Sequence, residues 1–152
     1  MQQLKILNTK ERKVILGKLK EQFGFSGALP YVLLMSPKEK LYLVNRDIER
    51  IELSKLRIDA MGVYFGEYGK GMLRLSIEGA QLVGKHCTKN VVEISERETK
   101  QWLMGKDVEK DLLLSGFVIL KCQEDFLGCG KYAEKDKKIL NYIPKSRRIL
   151  AE

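Results

Sequence analysis

FLGCGKYAEKDKKILNYIPKSRR, residues 126–148, is the stretch on which the fold turns. Two apolar runs, 126–132 and 139–143, flank a charged link at 133–138. That is the pattern of a β-hairpin with a solvated loop. Gly128 and Gly130 alternate with Cys129 inside the first run. Glycine weakens a strand unless something must approach its backbone closely. Pro144 ends the second run, and the basic tail Lys145, Arg147 and Arg148 follows. Between 126 and 150, seven Lys and Arg stand against two acidic residues, so this short stretch holds most of the chain's net charge of +8. A concentrated basic patch beside a strand pair with an open glycine face fits a polyanion, RNA or DNA first.

Around this stretch the chain has 152 residues, enough for one ordinary domain or two small ones. With 44% hydrophobic and 32% charged residues it has the composition of a folded protein and is too rich in Leu, Ile and Val for disorder. Lys or Glu interrupts every apolar run before it is long enough to cross a bilayer. The opening MQQLKILNTKERK has neither an apolar signal core nor a small-residue cleavage site, so a cytoplasmic protein is expected. Cys87, Cys122 and Cys129 make an odd count without CxxC, which suits free thiols in a reducing compartment.

Upstream of the hairpin, 91–94 reads as a strand. Ser95 and Glu98 form a capping box for a helix over 96–104, with Trp102 and Leu103 inward and Gly105 as its stop. Val108 and the run 112–114 lead into 116–122, a buried strand. Several short strands and one helix suggest a small barrel-like sheet, because closing a sheet removes its exposed edges. The first half begins with a helix that Asn8 or Thr9 caps. Asn8 and Glu11 stand at the capping-box offset, Ile15, Leu19 and Phe23 recur at helical spacing, and Gly24 ends it. Its outer side carries Lys10, Lys13, Lys18 and Lys20, read as a solvated face. Residues 31–35 and 41–45 are strands joined through Pro37, 46–56 a short helix with Ile48 and Ile51 inward, and 58–68 and 72–76 further strands. Ser76 caps a short helix over 77–84 that bridges to the second half. The order of elements is α+β. Residues 76–125 hold seven basic and nine acidic side chains, an acidic middle between basic ends.

Little of the sequence points to catalysis. GEYGKG, 66–71, resembles a phosphate loop, yet Gly71 follows Lys70 where a metal-binding hydroxyl is needed, so it reads as a hairpin turn. His86, Cys87, Cys122 and Cys129 lack the short gaps of a zinc site, and buried free thiols are the default. Cys129 between glycines near cations is a weighed nucleophile, but its alternation suits a small core residue equally well. Tyr132 and Tyr142 lie near the tail, either packed at the hairpin or free to stack on unpaired bases.

Residues 90–148 resemble a PUA domain, the RNA-binding module of many tRNA- and rRNA-modifying enzymes. Gly105-Lys106-Asp107-Val108 looks like that family's helix-exit loop, and Gly116-Phe117-Val118-Ile119 like its central strand. Leu127-Gly128-Cys129-Gly130-Lys131, followed by Ile139-Leu140-Asn141-Tyr142-Ile143-Pro144-Lys145, resembles the PUA-like region of Sun-family RNA cytosine-5 methyltransferases. Leu140 stands where that family commonly has Lys. The first half, through Gly62-Val63-Tyr64-Phe65-Gly66 and Leu73-Arg74-Leu75-Ser76, is similar to the α/β domain that precedes PUA in a large-subunit ribosome-assembly factor.

The resemblance implies an α+β protein, with a pre-PUA-like α/β domain over 1–84 and a PUA-like β pseudo-barrel over 85–152. It implies an RNA binder for tRNA or rRNA in ribosome assembly or RNA modification, with a separate modifying enzyme or assembly factor as partner and no membrane. A methyltransferase of the family also needs a cofactor-binding domain and a catalytic cysteine after proline. No cysteine here follows a proline, so neither enzyme activity nor a cofactor, a metal or a catalytic residue is expected. Lys106, Lys131, Lys138, Lys145, Arg147 and Arg148 are expected to bind phosphates. Gly128 and Gly130 would admit the sugar–phosphate chain, and Tyr142 would stack. The alternative is a protein-interaction adaptor that docks through the acidic middle and the first helix. A small enzyme using Cys129 or His86 is a third reading, for which the sequence nominates no reaction.

Overall fold

The computed structural model describes residues 4–45 and 62–150. The helix expected over 46–56, and the first residues of the strand expected from 58, lie outside the described residues. The described chain is α+β and is built on two five-stranded sheets.

The first sheet is a meander. Strands β1 (Lys5–Ile6), β2 (Val32–Met35), β3 (Lys40–Val44), β4 (Val63–Gly69) and β5 (Met72–Leu75) lie side by side in chain order, and every pair is antiparallel. Lys70 and Gly71 both take positive φ, 53° and 74°, in the two-residue turn between β4 and β5. That is the backbone twist a tight hairpin prefers, so GEYGKG is the end of β4 and its hairpin turn. Helix α1 (Thr9–Phe23) covers this sheet and buries Ile15, Leu19 and Phe23. Its start is fixed as its sequence suggests. The Asn8 side chain accepts from the Glu11 N–H at 2.8 Å, and Glu11 accepts from the Asn8 N–H at 3.0 Å. At its end Gly24 adopts the left-handed conformation, φ 61°. Gln22 then binds both backbone groups of Leu73 at 2.9 Å, which occupies the open edge of β5.

Helix α2 (Ile77–Val83) starts at a Ser76 cap, whose Oγ accepts from the Gly79 N–H. It packs on both β4 and β9 (Asp125–Ala133). A Cβ on Gly79 would lie 2.2 Å from the Phe65 carbonyl oxygen, so only glycine lets the helix sit this close to β4.

The second sheet is ordered differently. Its strands are β6 (Val91–Glu93), β7 (Val108–Glu109), β8 (Gly116–Cys122), β9 and β10 (Lys138–Leu140), in spatial order β6-β8-β9-β10-β7. β6 runs parallel to β8, and the other pairs are antiparallel. Its edge strands β6 and β7 are joined by helix α3 (Glu96–Leu103), which carries Trp102 into the interior, fully buried. Val92, Val118, Leu120, Tyr132 and Ile139 pack around it. The helix thus closes a small β-rich unit of the PUA-like kind. The Ser95–Glu98 capping box is present with both hydrogen bonds.

Strands β8 and β9 are buried on both faces. Val118 and Leu120 turn to the Trp102 core, while Ile119 and Cys129 belong to the core of the first sheet. The near-continuous apolar run of β8 follows from this double burial. The second hairpin strand is shorter than expected, because β10 ends at Leu140. Asn141 ends it. Its Nδ2 donates to the carbonyls of Trp102 and Lys106, its Oδ1 accepts from the Ile143 N–H, and its own N–H binds Asp107.

Candidate functional site

The glycines that defined the expected open face do other work. Gly130 is buried, and a Cβ there would lie 2.6 Å from Ile139, 2.7 Å from the Leu140 carbonyl and 2.7 Å from the Trp102 ring. The close approach it permits is that of the core, which corrects the expectation that it admits a nucleotide backbone. Cys129 points the other way, into the first core, 5% exposed. Burial pushes its thiol up to about 12, which removes it as a nucleophile at neutral pH. Cys87 is likewise raised by burial, to about 11. Gly128, at φ 132°, faces helix α2 across ordinary van der Waals distance, with Ile77 Cγ1 at 3.5 Å, and also lines the cleft described next.

That cleft, ≈ 230 Å³, opens between the two sheets. Lys40, Tyr64, Glu67 and Arg74 enter from the first sheet, Glu78 from α2, and Tyr142, Pro144 and Arg147 from the tail. Arg74 lies between the buried Leu73 and Leu75, so strand alternation turns it to the opposite face. Its guanidinium stands 4.7 Å from the Tyr142 ring centroid and pairs with Glu67 at 2.5 Å. Tyr142 meets Phe117 edge-on at 6.1 Å, and Lys131 stands 6.0 Å from the Phe117 ring. Arg74, Tyr142, Phe117 and Lys131 therefore form one run across both sheets, two adjacent rings with a cation at each end. Lys40 lies 5.9 Å from Tyr64, whose hydroxyl is raised above its ordinary value chiefly by burial.

The expected phosphate ligands divide into three groups. Lys106, Lys131 and Lys145 are exposed and make no ion pair among the described residues. Lys138 pairs with Asp107 at 3.5 Å, and Arg147 holds both Glu78 oxygens, at 2.8 and 2.5 Å. Arg148 is structural. Its Nε donates to the Ile143 carbonyl at 3.0 Å, and its side chain lies over Gly105, where a Cβ would clash with it at 2.4 Å. Tyr142 is 39% exposed and available to stack. Tyr132 is buried, its hydroxyl donating to the Lys110 carbonyl and accepting from the Leu112 N–H. His86 packs edge-on against Phe25 at 6.3 Å.

Sequence reading missed Arg74, Lys40, Tyr64 and Phe117 as site residues. Arg74 had a usable signal, a polar position between inward-facing ones on a strand. Among the described residues, no group of three or more His, Cys, Asp or Glu side chains could hold a metal ion. No helix of the described residues is long and apolar enough to cross a membrane.

The part of the chain that forms the second sheet, its helix and its tail is similar to a known family. Residues 89–149 match the methyltransferase RsmF PUA domain. The chain is also similar to ribosomal RNA small subunit methyltransferase F of Aeromonas hydrophila subsp. hydrophila, at 29% identity over 140 residues, 91% of this chain and 28% of the relative. The protein of the same name from Aeromonas salmonicida is 27% identical over 140 residues, with the same coverage. That from Vibrio parahaemolyticus is 26% identical over 99 residues, 61% of this chain and 20% of the relative. The chain thus spans about a quarter of the length of the curated relatives it matches. The Aeromonas alignments take in most of the first sheet as well as the PUA-like unit.

Proposed function

We propose that this chain is an RNA-binding module, directed to ribosomal RNA ahead of transfer RNA. In this reading it is a cytoplasmic protein that acts in rRNA modification or ribosome assembly as the recognition part, with catalysis supplied by a separate enzyme. Residues 85–152 present most of the RNA-facing groups, and residues 1–84 add the far wall of the cleft. The observation that carries the reading is the cation–ring run Lys131–Phe117–Tyr142–Arg74, which starts within the span that matches the RsmF PUA domain. Cations bind phosphates, and exposed rings supply stacking platforms for bases. The relatives' name, a ribosomal RNA methyltransferase, supports rRNA as the polymer.

The test is a titration of structured rRNA fragments at several salt concentrations, with the Lys106→Ala/Lys131→Ala/Lys145→Ala triple variant beside the native protein. Removing one lysine–phosphate pair should flatten the dependence of log affinity on log salt by roughly 0.7–0.9. The triple variant should therefore bind more weakly at low salt and show a slope shallower by roughly 2–3. An unaltered affinity and slope would reject these lysines as the phosphate ligands.

A further inference from the structure

The cleft between the sheets differs from the lysine surface beside it. We infer that it receives one unpaired RNA base, stacked on Tyr142 and held at its edge by the Arg74–Glu67 and Arg147–Glu78 pairs. This inference rests on the RNA reading and adds where, and in what form, a nucleotide is read.

Three observations converge on it. The first is size. At ≈ 230 Å³ the cleft falls below the ~300 Å³ at which sites for whole small ligands begin, which suits a single ring system better than an entire nucleotide. The second is surface. Tyr142 is the exposed ring at the mouth, Tyr64 lines the opposite wall, and the Arg74 guanidinium already lies over Tyr142 at 4.7 Å. A flat cation already seated on a ring extends the stacking surface, and a base can stack on the face this pair leaves exposed. The third is charge. Each arginine in the cleft has a carboxylate partner, so the site offers donors and acceptors together. Phosphates are better served by uncompensated cations such as Lys131 and Lys145 outside it. A base edge presents donors and acceptors of its own and is matched by such a mixed set. Both walls are needed, because Arg74 and Tyr64 come from the first sheet and Tyr142 and Arg147 from the tail.

The experiment uses the full chain and two probes, a short unstructured RNA with one 2-aminopurine and an RNA hairpin of equal charge whose paired stem is closed by a non-nucleotide linker. Tyr142→Ala should weaken the single-stranded probe roughly five- to 150-fold and leave its salt slope unchanged. Arg74→Ala should weaken it as well, whereas Tyr142→Phe should bind as the native protein does. Neither alanine change should alter binding of the hairpin, and Lys10→Ala on the far helix should alter neither probe. In the native complex the 2-aminopurine emission should be quenched. Undiminished emission from bound RNA overturns the inference without any variant. Alanine variants that bind both probes like the native protein also overturn it and leave the RNA reading standing. A native protein that binds neither probe overturns both.

Discussion

The two sheets solve the same problem with opposite economies of chain. In the first, every strand pairs with its neighbour in sequence, and the turn between β4 and β5 carries the residues that fix it, Lys70 and Gly71. In the second, the chain goes from one edge to the other through α3 before the middle strands are laid down, so β6 lies beside β8 rather than β7. The first core is spread over many side chains from α1, α2, four strands of the first sheet, and β8 and β9 of the second. The second gathers around one indole, which the helix alone can deliver. A fold held by local pairing distributes its stability, while one closed by a single crossing helix concentrates it.

The sharpest way to break this comparison is Trp102→Ala. Emptying a fully buried aromatic site costs about 3–5 kcal/mol. Urea unfolding should show that loss, with the PUA-like unit opening first by amide exchange. A loss below about 2 kcal/mol, within the range of ordinary point changes, would mean that the second core is as widely shared as the first.

A smaller effect sets the two regions against each other with one substitution. Gly130→Ala places a methyl within 2.7 Å of the Trp102 ring and of a backbone carbonyl, and overpacking of this kind costs about 1–3 kcal/mol. Gly17→Ala, in the middle of α1, meets nothing within 4 Å, and should stabilise by about 0.5–1 kcal/mol through helix propensity. Thermal melts should therefore move in opposite directions. A common sign would show that packing at Gly130 relaxes more easily than its neighbours suggest.

The same contrast explains what the sequence disclosed. Asn8, Gly24, Ser95 and Glu98 act within their own turns, so both long helices could be read from a few letters each. The Lys70–Gly71 turn was legible for the same reason. Gly130 was not, because whether a strand glycine faces solvent or an indole depends on Trp102, which lies 28 positions earlier in the chain. Arg148 presents a similar case, since its partners Gly105 and Ile143 are set by how the tail crosses the end of α3. The exposed lysines were legible from charge alone. The cleft was not, since Arg74 and Tyr142 meet only when both sheets have formed, and no local pattern encodes that meeting.

The mildest comparison concerns the two capping boxes. Glu11 at α1 and Glu98 at α3 both sit below the ordinary carboxylate range. For Glu11 the leading cause is its hydrogen bond to Lys5, on an exposed surface. For Glu98, burial pushes the value up but is outweighed by the Ser95 N–H and by Lys110 at 3.3 Å. A carboxylate whose value is lower in the folded state adds stability above its unfolded value of about 4.3 and loses it as pH falls through the lowered one. Glu98→Gln keeps the reciprocal hydrogen bonding of the box and removes only the charge. It should cost roughly 0.3–1 kcal/mol at neutral pH, as for a charge near a helix start, and this difference should fade as pH falls through the lowered value of Glu98. Chemical unfolding of both proteins across that range measures it. A difference that persists in acid would assign the contribution of Glu98 to shape rather than charge, and would place α3 with the parts of the second unit that depend on packing.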